Sequence, residues 1–140
     1  MLAAVTPPSP GAARAPACGK TKHYAPEGAT APPLAIGDSV MLGAVEPLVR
    51  RGFEVDARVC RQMSEGLAVL DARARAGTLP SAVAIGLGTN WTVTPEQIRQ
   101  ALMIVGRERV LALVTPREVG GAASADQHVI RAAAGAGRGG

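Results

Sequence analysis

The sequence is poor in aromatic side chains. Its 140 residues include one Phe, one Trp and one Tyr, so a hydrophobic core has to be built from Val, Leu, Ile and Ala. Small side chains bury little apolar area each, and a chain of this length buries only about two-thirds of its unfolded surface. We therefore expect a single domain of marginal stability.

Long apolar runs and cysteines are also scarce. The longest apolar runs, such as residues 110–114, are far shorter than the roughly 20 residues that a membrane helix needs. The N-terminus has neither the basic start nor the full apolar stretch of a secretory signal peptide. Cys18 and Cys60 are the two cysteines, which is too few for a disulfide scaffold or a four-cysteine zinc site. Cys18 and His23 lie five positions apart, but two ligands in a flexible segment make a poor metal site, so we expect neither a metal nor a cofactor.

The positive charge of the chain is spread along its length. The net charge is +4 and 13 of the 15 basic residues are Arg, with no basic run longer than Arg50–Arg51. Three aromatic residues cannot form a stacking platform for bases. We interpret the arginines as a solvated surface and expect no nucleic-acid partner.

The composition changes near residue 33. Residues 1–33 hold seven of the eleven prolines and show no apolar periodicity, which is typical of a disordered or extended linker. Residues 136–140 are too rich in glycine to hold a helix and are predicted to be a disordered tail. The sequence therefore predicts a folded domain over residues 34–135.

Within that domain, short apolar runs alternate with stretches of helical periodicity. Thr94, Pro95 and Gln97 give the clearest helix start, since they combine a capping box with proline at the first helical position. Ser124 and Gln127 repeat the spacing of the box. Four strands are predicted at 34–37, 53–59, 82–87 and 110–114, and four helices at 41–49, 63–74, 95–105 and 124–134. This order predicts a three-layer α/β/α fold with a doubly wound parallel sheet of the flavodoxin-like kind.

Ligands of such sheets collect where the strands end, and two polar loops follow predicted strands. The first is Gly37-Asp38-Ser39, which places a serine at the start of a helix. The second is Gly88-Thr89-Asn90, whose Asn can donate its amide N–H to an oxyanion. Each loop also has an ordinary structural interpretation, since Asp and Ser cap helices and Gly and Asn form turns.

Taken together, the two loops resemble the motifs of the SGNH, or GDSL-like, hydrolase family over residues 34–135. The first motif matches residues 37–43, the third matches residues 88–90, and Arg61-Gln62 lies where the second is found. The pattern is most similar to the SGNH domains attached to bacterial membrane O-acyltransferases, which act on cell-wall or surface polysaccharides. A proline-rich linker often precedes those domains, as residues 1–33 would here.

The resemblance implies a role for each matching residue. Ser39 would attack an acyl carbonyl as the nucleophile. The backbone N–H groups of Ser39 and Cys60 and the side chain of Asn90 would hold the oxyanion, while Asp38 would cap the helix and orient its loop. Cys60 stands where the family has a glycine; its thiol could be reactive, but we favour its interpretation as a small, partly buried group. The remaining residues implied at the binding site are Asp38, Gly88, Thr89, Arg61 and Gln62.

The chain departs from the family in its general base. It contains no Asp-x-x-His, and His128 is the single histidine beyond residue 33. Asp126 and His128 are two positions apart, so on a helix they point in different directions, and we expect His128 on the surface. Serine is a weak nucleophile without a base. The sequence thus predicts a C-terminally truncated domain that lacks the family's last strand and helix and leaves one sheet edge exposed.

Three hypotheses remain open at this point. The first is a serine esterase or O-acyltransferase domain that moves or removes an acyl group, such as acetyl, on a carbohydrate or small ester through an acyl-serine, impaired by loss of its base. The second is a catalytically inactive fragment or carbohydrate-binding remnant of the same fold. The third is an unrelated nucleotide-binding domain, although the chain has no glycine-rich phosphate motif.

The resemblance also implies a membrane acyltransferase domain as a partner in a parent protein. The domain would then work on the extracytoplasmic face of the membrane, whereas this chain expressed alone would stay in the cytoplasm.

Overall fold

The computed structural model describes residues 18–117 and 122–136; the predictions for residues 1–17 and 137–140 lie outside this part of the chain. Two short helices follow the first two strands, and strands and helices alternate from there on. The elements in chain order are β1 (Lys22–Tyr24), β2 (Leu34–Gly37), α1 (Ser39–Leu42), α2 (Val45–Arg50), β3 (Glu54–Ala57), α3 (Met63–Arg75), β4 (Ala82–Gly86), α4 (Pro95–Val105), β5 (Val110–Leu113) and α5 (Ala122–Ala136). None of the helices in the described ranges is long and apolar enough to cross a membrane.

The five strands form one sheet in the order β1-β3-β2-β4-β5. β2 pairs in parallel with β3 on one side and with β4 on the other, and β4 pairs in parallel with β5. The neighbours of β2 therefore lie on both sides of it, as a doubly wound sheet requires. The α/β class and the parallel core of the sheet are confirmed.

Helices cover both faces of the sheet. Alternate residues of β2 face opposite layers: Leu34 and Ile36 pack in the larger core cluster, with buried residues of α3, α4 and α5. Ala35 packs in the smaller cluster, against Met41 and partly buried residues of α2. These residues are aliphatic, as the scarcity of aromatic side chains predicted, and the fold has three layers.

β1 was not predicted, and the expectation of a linker up to residue 33 is wrong at Lys22–Tyr24. These residues pair antiparallel with β3, with Lys22 opposite Ala57 and Tyr24 opposite Val55. All three residues of β1 are exposed, so they carry no alternation of apolar and polar side chains. A strand that buries no apolar side chain leaves no such pattern for sequence analysis to detect.

The single helix predicted at 41–49 is two short helices. Gly43 and Ala44 donate to the carbonyls three residues earlier, at 3.1 and 2.9 Å, which tightens the turn and ends α1. Pro47 has no N–H to donate, and the break places it in the first turn of α2, where that hydrogen bond is not needed.

Of the two predicted capping boxes, the first is confirmed. The Gln97 N–H donates to Thr94 Oγ1 at 3.2 Å, and the Thr94 N–H donates to Gln97 Oε1 at 3.0 Å. The second is wrong, because α5 begins at Ala122 and Ser124 lies within it. The side chain of Gln127 donates instead to the carbonyl of Pro116.

A buried carboxylate fastens β1 to the sheet. Glu54 is 8% exposed, and its Oε1 lies 2.5 Å from His23 Nε2 and forms an ion pair with Arg73 on α3. Burial raises the pKa of Glu54, but the hydrogen bonds and charges of Arg73 and His23 outweigh it and hold that pKa below its usual range. The ionised carboxylate therefore stabilises the native fold.

Candidate active site

The carboxyl ends of β2 and β4 meet at one edge of the sheet. Gly37 and Gly86, the last residues of these strands, are partners in the parallel register. A cavity of about 660 Å³ opens at this edge. Its lining includes Ser39 and Asn90, so the structure brings together the predicted nucleophile and the predicted oxyanion donor. The other lining residues are Asp38, Val40, Met41, Ala44, Leu48, Gly86, Leu87, Thr89, Val114, Thr115, Pro116 and Arg117.

Ser39 is the first residue of α1 and is exposed to solvent. The preceding Asp38 adopts an extended conformation, with φ −104°, and its carboxylate accepts the Val40 N–H at 2.9 Å. This is an N-cap interaction, which fixes where the helix begins. The local sequence thus sets the position of Ser39 at the mouth of the cavity.

The Asp38 carboxylate also reaches the second loop. Asp38 is fully buried, and its Oδ2 accepts the hydroxyl of Thr89 and the Nδ2 group of Asn90, the latter at 3.3 Å. One buried carboxylate therefore holds the start of α1 and the loop after β4 at the same time. Asp38 thus positions Asn90 directly and also holds the neighbouring Thr89, and all three residues line the cavity.

The side chain of Asn90 lies between the two other loops of the site. Its Nδ2 group also approaches the carbonyl of Arg61 at 3.4 Å. Gly88, two residues earlier, has φ +123°, which side chains of L residues rarely allow. A Cβ at Gly88 would lie 3.3 Å from the Val93 side chain, so this position in the loop needs glycine.

Cys60 has a left-handed backbone, with φ +63°. This conformation is unfavourable for an L residue with a Cβ. The left-handed turn is present although the chain has cysteine where the resembling family has glycine. The Cys60 side chain is half-buried and is not part of the cavity lining.

The Arg61 side chain is buried and is not among the described lining residues of the cavity. It is 3% exposed, forms an ion pair with Asp56 at 2.7 Å and donates to the Asp56 carbonyl at 2.7 Å. It also approaches the carbonyl of Gly37 at 3.5 Å. The structure thus does not bring the Arg61 side chain to the binding role that the resemblance implied. Its contacts join the ends of β2 and β3, and no motif or spacing in the sequence indicated this burial.

Gln62 has a structural role as well. It is the N-cap of α3, and its N–H donates to Glu65 Oε2 at 2.9 Å. This hydrogen bond is the largest of the effects that hold the pKa of Glu65 below its usual range. Arg61 and Gln62 therefore fix the second loop in place, and neither lines the cavity.

Asp126 and His128 point in different directions from α5, as predicted. Asp126 is 1% exposed and accepts the Val93 N–H at 3.0 Å, which supports the loop that carries Asn90. His128 is exposed and lines a separate apolar groove between α4 and α5. Sequence analysis missed the role of Asp126, since an isolated Asp in a helix gives no signal for it.

The described residues contain no cluster of three or more His, Cys, Asp or Glu side chains that could hold a metal ion. Within the same ranges, the lining of the cavity includes no histidine. Its charged members are Asp38, which is engaged by hydrogen bonds, and Arg117. Among the described lining residues, the groups available for chemistry are therefore the hydroxyl of Ser39 and hydrogen-bond donors such as the amide of Asn90.

Comparison with known proteins gives a match among solved structures. No protein-family model matches the chain, and no curated protein matches it. The chain is similar to the C-terminal catalytic domain of Streptococcus pneumoniae peptidoglycan O-acetyltransferase A (OatA), solved with a methylsulfonyl adduct, at 24% identity and a TM-score of 0.57. The match covers 76% of this chain and 61% of that one, so the chain spans less than two-thirds of the solved domain. At the level of the fold, this likeness confirms the predicted α/β architecture.

Proposed function

We propose that the chain is an SGNH-type acyl-transfer domain in which Ser39 is the nucleophile and Asn90 an oxyanion donor. The observation that carries this proposal is that both residues line one cavity, and that the Asp38 carboxylate accepts both the Val40 N–H, next to Ser39, and the Asn90 amide. If Asp38 served only as a helix cap and Asn90 only as a turn residue, their loops, 51 positions apart, would not need to share one buried carboxylate.

The reaction would begin with attack of Ser39 Oγ on the acyl carbonyl of an ester. Negative charge would develop on the carbonyl oxygen, and the N–H groups of Ser39 and Cys60 and the Nδ2 group of Asn90 would donate to it. Collapse of the tetrahedral intermediate would release the alcohol and leave an acyl-serine, which water or a carbohydrate hydroxyl would then attack. The Ser39 proton has to pass to a base; because the described lining has no histidine, we expect turnover to be slow.

The substrate class that we propose is an acetylated carbohydrate of the cell wall. The similar solved domain belongs to a peptidoglycan O-acetyltransferase, which supports this choice. Trp91, which directly follows Asn90, is 70% exposed, and an exposed indole next to the site suits stacking against a sugar ring. A membrane acyltransferase domain in a parent protein is the partner that we propose, which would place the domain on the extracytoplasmic face.

Labelling with methanesulfonyl fluoride tests the role of Ser39. The reagent sulfonylates an activated serine hydroxyl and releases fluoride, so mass spectrometry of peptides identifies the modified residue. We expect label on Ser39, none in the Ser39→Ala variant, and unchanged labelling in Ser64→Ala, which removes an exposed serine from α3. Equal labelling of Ser39→Ala and the unmodified sequence would contradict the assignment.

Asn90→Ala tests the oxyanion donor. Removal of one such donor lowers acylation by about two to three orders of magnitude, so we expect the rate of p-nitrophenyl acetate cleavage to fall by about 100-fold. Trp91→Ala should leave this small ester nearly unaffected and weaken binding of a peptidoglycan oligosaccharide by about tenfold, the loss of one aromatic contact. An equal effect of Trp91→Ala on both ligands would contradict a role in binding the sugar.

A second candidate is a carbohydrate-binding domain without turnover. The absence of histidine from the described cavity lining favours it, since an oxyanion hole and a serine without a base give only weak catalysis. A rise in Tm with a peptidoglycan oligosaccharide, without label on Ser39 or ester cleavage, would support this candidate over the enzyme.

A further inference from the structure

The two cysteines of the chain come together in the fold. Cys18 and Cys60 are 42 positions apart, yet the segments that carry them pack together, and the Cys18 thiol is the largest cause of a raised pKa at the Cys60 thiol. Cys18 is exposed and Cys60 is half-buried. Their proximity has a cause in the topology of the fold.

The cause is the antiparallel pairing of β1 with β3. The residues that precede β1 run alongside the loop that follows β3, since antiparallel neighbours continue past each other in opposite directions. Thr21 Oγ1 accepts from Arg61 Nη2 at 3.3 Å, and a Cβ built at Gly19 would lie 3.8 Å from the Val59 side chain. These contacts lie one and three residues after Cys18 and on both sides of Cys60, so they bring the two thiols close together.

We propose that Cys18 and Cys60 are a disulfide-forming pair that reacts with a low-molecular-weight disulfide such as oxidised glutathione. The bond would join the segment before β1 to the loop between β3 and α3. This proposal is independent of the acyl-transfer chemistry, because it rests on the position of the thiols alone.

The order of the two steps follows from the environment of each thiol. The Cys18 thiol is the largest cause that raises the pKa of the Cys60 thiol, and burial is the next. A thiol held in its protonated form attacks a disulfide slowly. The exposed Cys18 therefore attacks first: its sulfur bonds to one glutathione sulfur, the glutathione disulfide breaks, and one glutathione leaves with the proton of Cys18. Cys60 sulfur then attacks Cys18 sulfur, and the second glutathione leaves with the proton of Cys60. Two protein thiols are oxidised and one glutathione disulfide is reduced.

The disulfide would stabilise the fold by closing a long loop. Cross-linking residues this far apart in the sequence removes much of the conformational entropy of the unfolded chain. We expect the oxidised protein to melt on the order of 10 °C higher than the reduced protein, which is the order that loop closure predicts for a domain of this size.

The test is equilibration of the full chain in a series of glutathione redox buffers. We expect the intact monomer to become lighter by two hydrogen atoms, and a non-reduced digest to contain one peptide that links Cys18 to Cys60. Cys18→Ser and Cys60→Ser are the matched controls, since each removes one thiol; both should fail to gain thermal stability, and Cys60→Ser should accumulate the mixed glutathione disulfide on Cys18.

Two results would overturn the proposal. One is a monomer that carries a separate glutathione on each cysteine at equilibrium. The other is a disulfide-linked dimer without the internal bond. Labelling of Ser39 in the reduced Cys18→Ser variant reports on the proposed function separately, because Cys18 lies outside the cavity lining and its loss should leave that labelling unchanged.

Discussion

Replacing Asp38 tests how the two loops of the site are held together. Asp38→Ala removes the acceptor of three donors: the Val40 N–H, the Thr89 hydroxyl and the Asn90 amide. Loss of an N-cap costs about 1 kcal/mol, and loss of each of the two other hydrogen bonds to the carboxylate costs about 1 kcal/mol more. We therefore expect the free energy of unfolding to fall by about 3 kcal/mol, measured by urea unfolding followed by far-ultraviolet circular dichroism.

Asp38→Asn separates stability from function. The asparagine keeps one oxygen for the Val40 N–H but presents its own N–H₂ group to the amide of Asn90. We expect a smaller loss of about 1–2 kcal/mol, together with slower sulfonylation of Ser39 because Asn90 has to turn. Asp71→Asn is the control, since Asp71 pairs with Arg75 on the surface of α3 and should change stability by less than about 0.5 kcal/mol. An Asp38→Ala variant as stable as the Asp71 control would refute the reasoning.

Three further predictions concern other parts of the fold. Under reducing conditions Cys60→Gly should raise Tm by about 3–5 °C relative to Cys60→Ala, because glycine relieves the positive φ and alanine does not; equal Tm values would mean that the turn is unstrained. Glu54→Gln should lower the free energy of unfolding by about 2 kcal/mol at pH 7. A carboxylate whose pKa is lowered in the folded state stabilises the fold at pH values above its unfolded pKa, which is about 4.3 for Glu. This stabilisation is lost as the pH falls through the pKa of the folded state. The deficit of Glu54→Gln should therefore shrink at pH 3, whereas Glu46→Gln, which removes an exposed ion pair with Arg50, should change stability by less than about 0.5 kcal/mol at either pH. Gly37→Ala should cost about 2 kcal/mol or more in urea unfolding, since the added Cβ would meet the Cβ of Met41 at 2.4 Å, and a neutral effect would show that α1 can shift.

The sequence predicted the elements whose signals are local. The capping box at Thr94 needs only residues three apart, and the apolar run that became β4 is continuous, so both were predicted and observed. The pairing of the Ser39 and Asn90 loops was predicted from the general rule that parallel strands of a sheet end at one edge.

The features that escaped prediction depend on contacts between distant residues. β1 presents three exposed side chains, and its place beside β3 is set by backbone pairing and by the contact of His23 with Glu54, which leave no pattern in the sequence. The burial of Arg61 depends on Asp56 and on strand ends that meet only in the fold. The approach of Cys18 to Cys60 follows from β1 and could not be foreseen without it.

The shared carboxylate of Asp38 has a consequence for the motions of the site. α1 contains only four residues, so it has few hydrogen bonds of its own to keep it folded if its cap is lost. When the Asn90 loop moves away, Asp38 loses its hydrogen bonds with Thr89 and Asn90. When α1 unfolds, Asp38 loses its hydrogen bond with the Val40 N–H. The two segments should therefore open as one cooperative unit. In native-state hydrogen exchange the Val40 amide would then report the opening of the whole site, with the same free energy as the amides of the Asn90 loop.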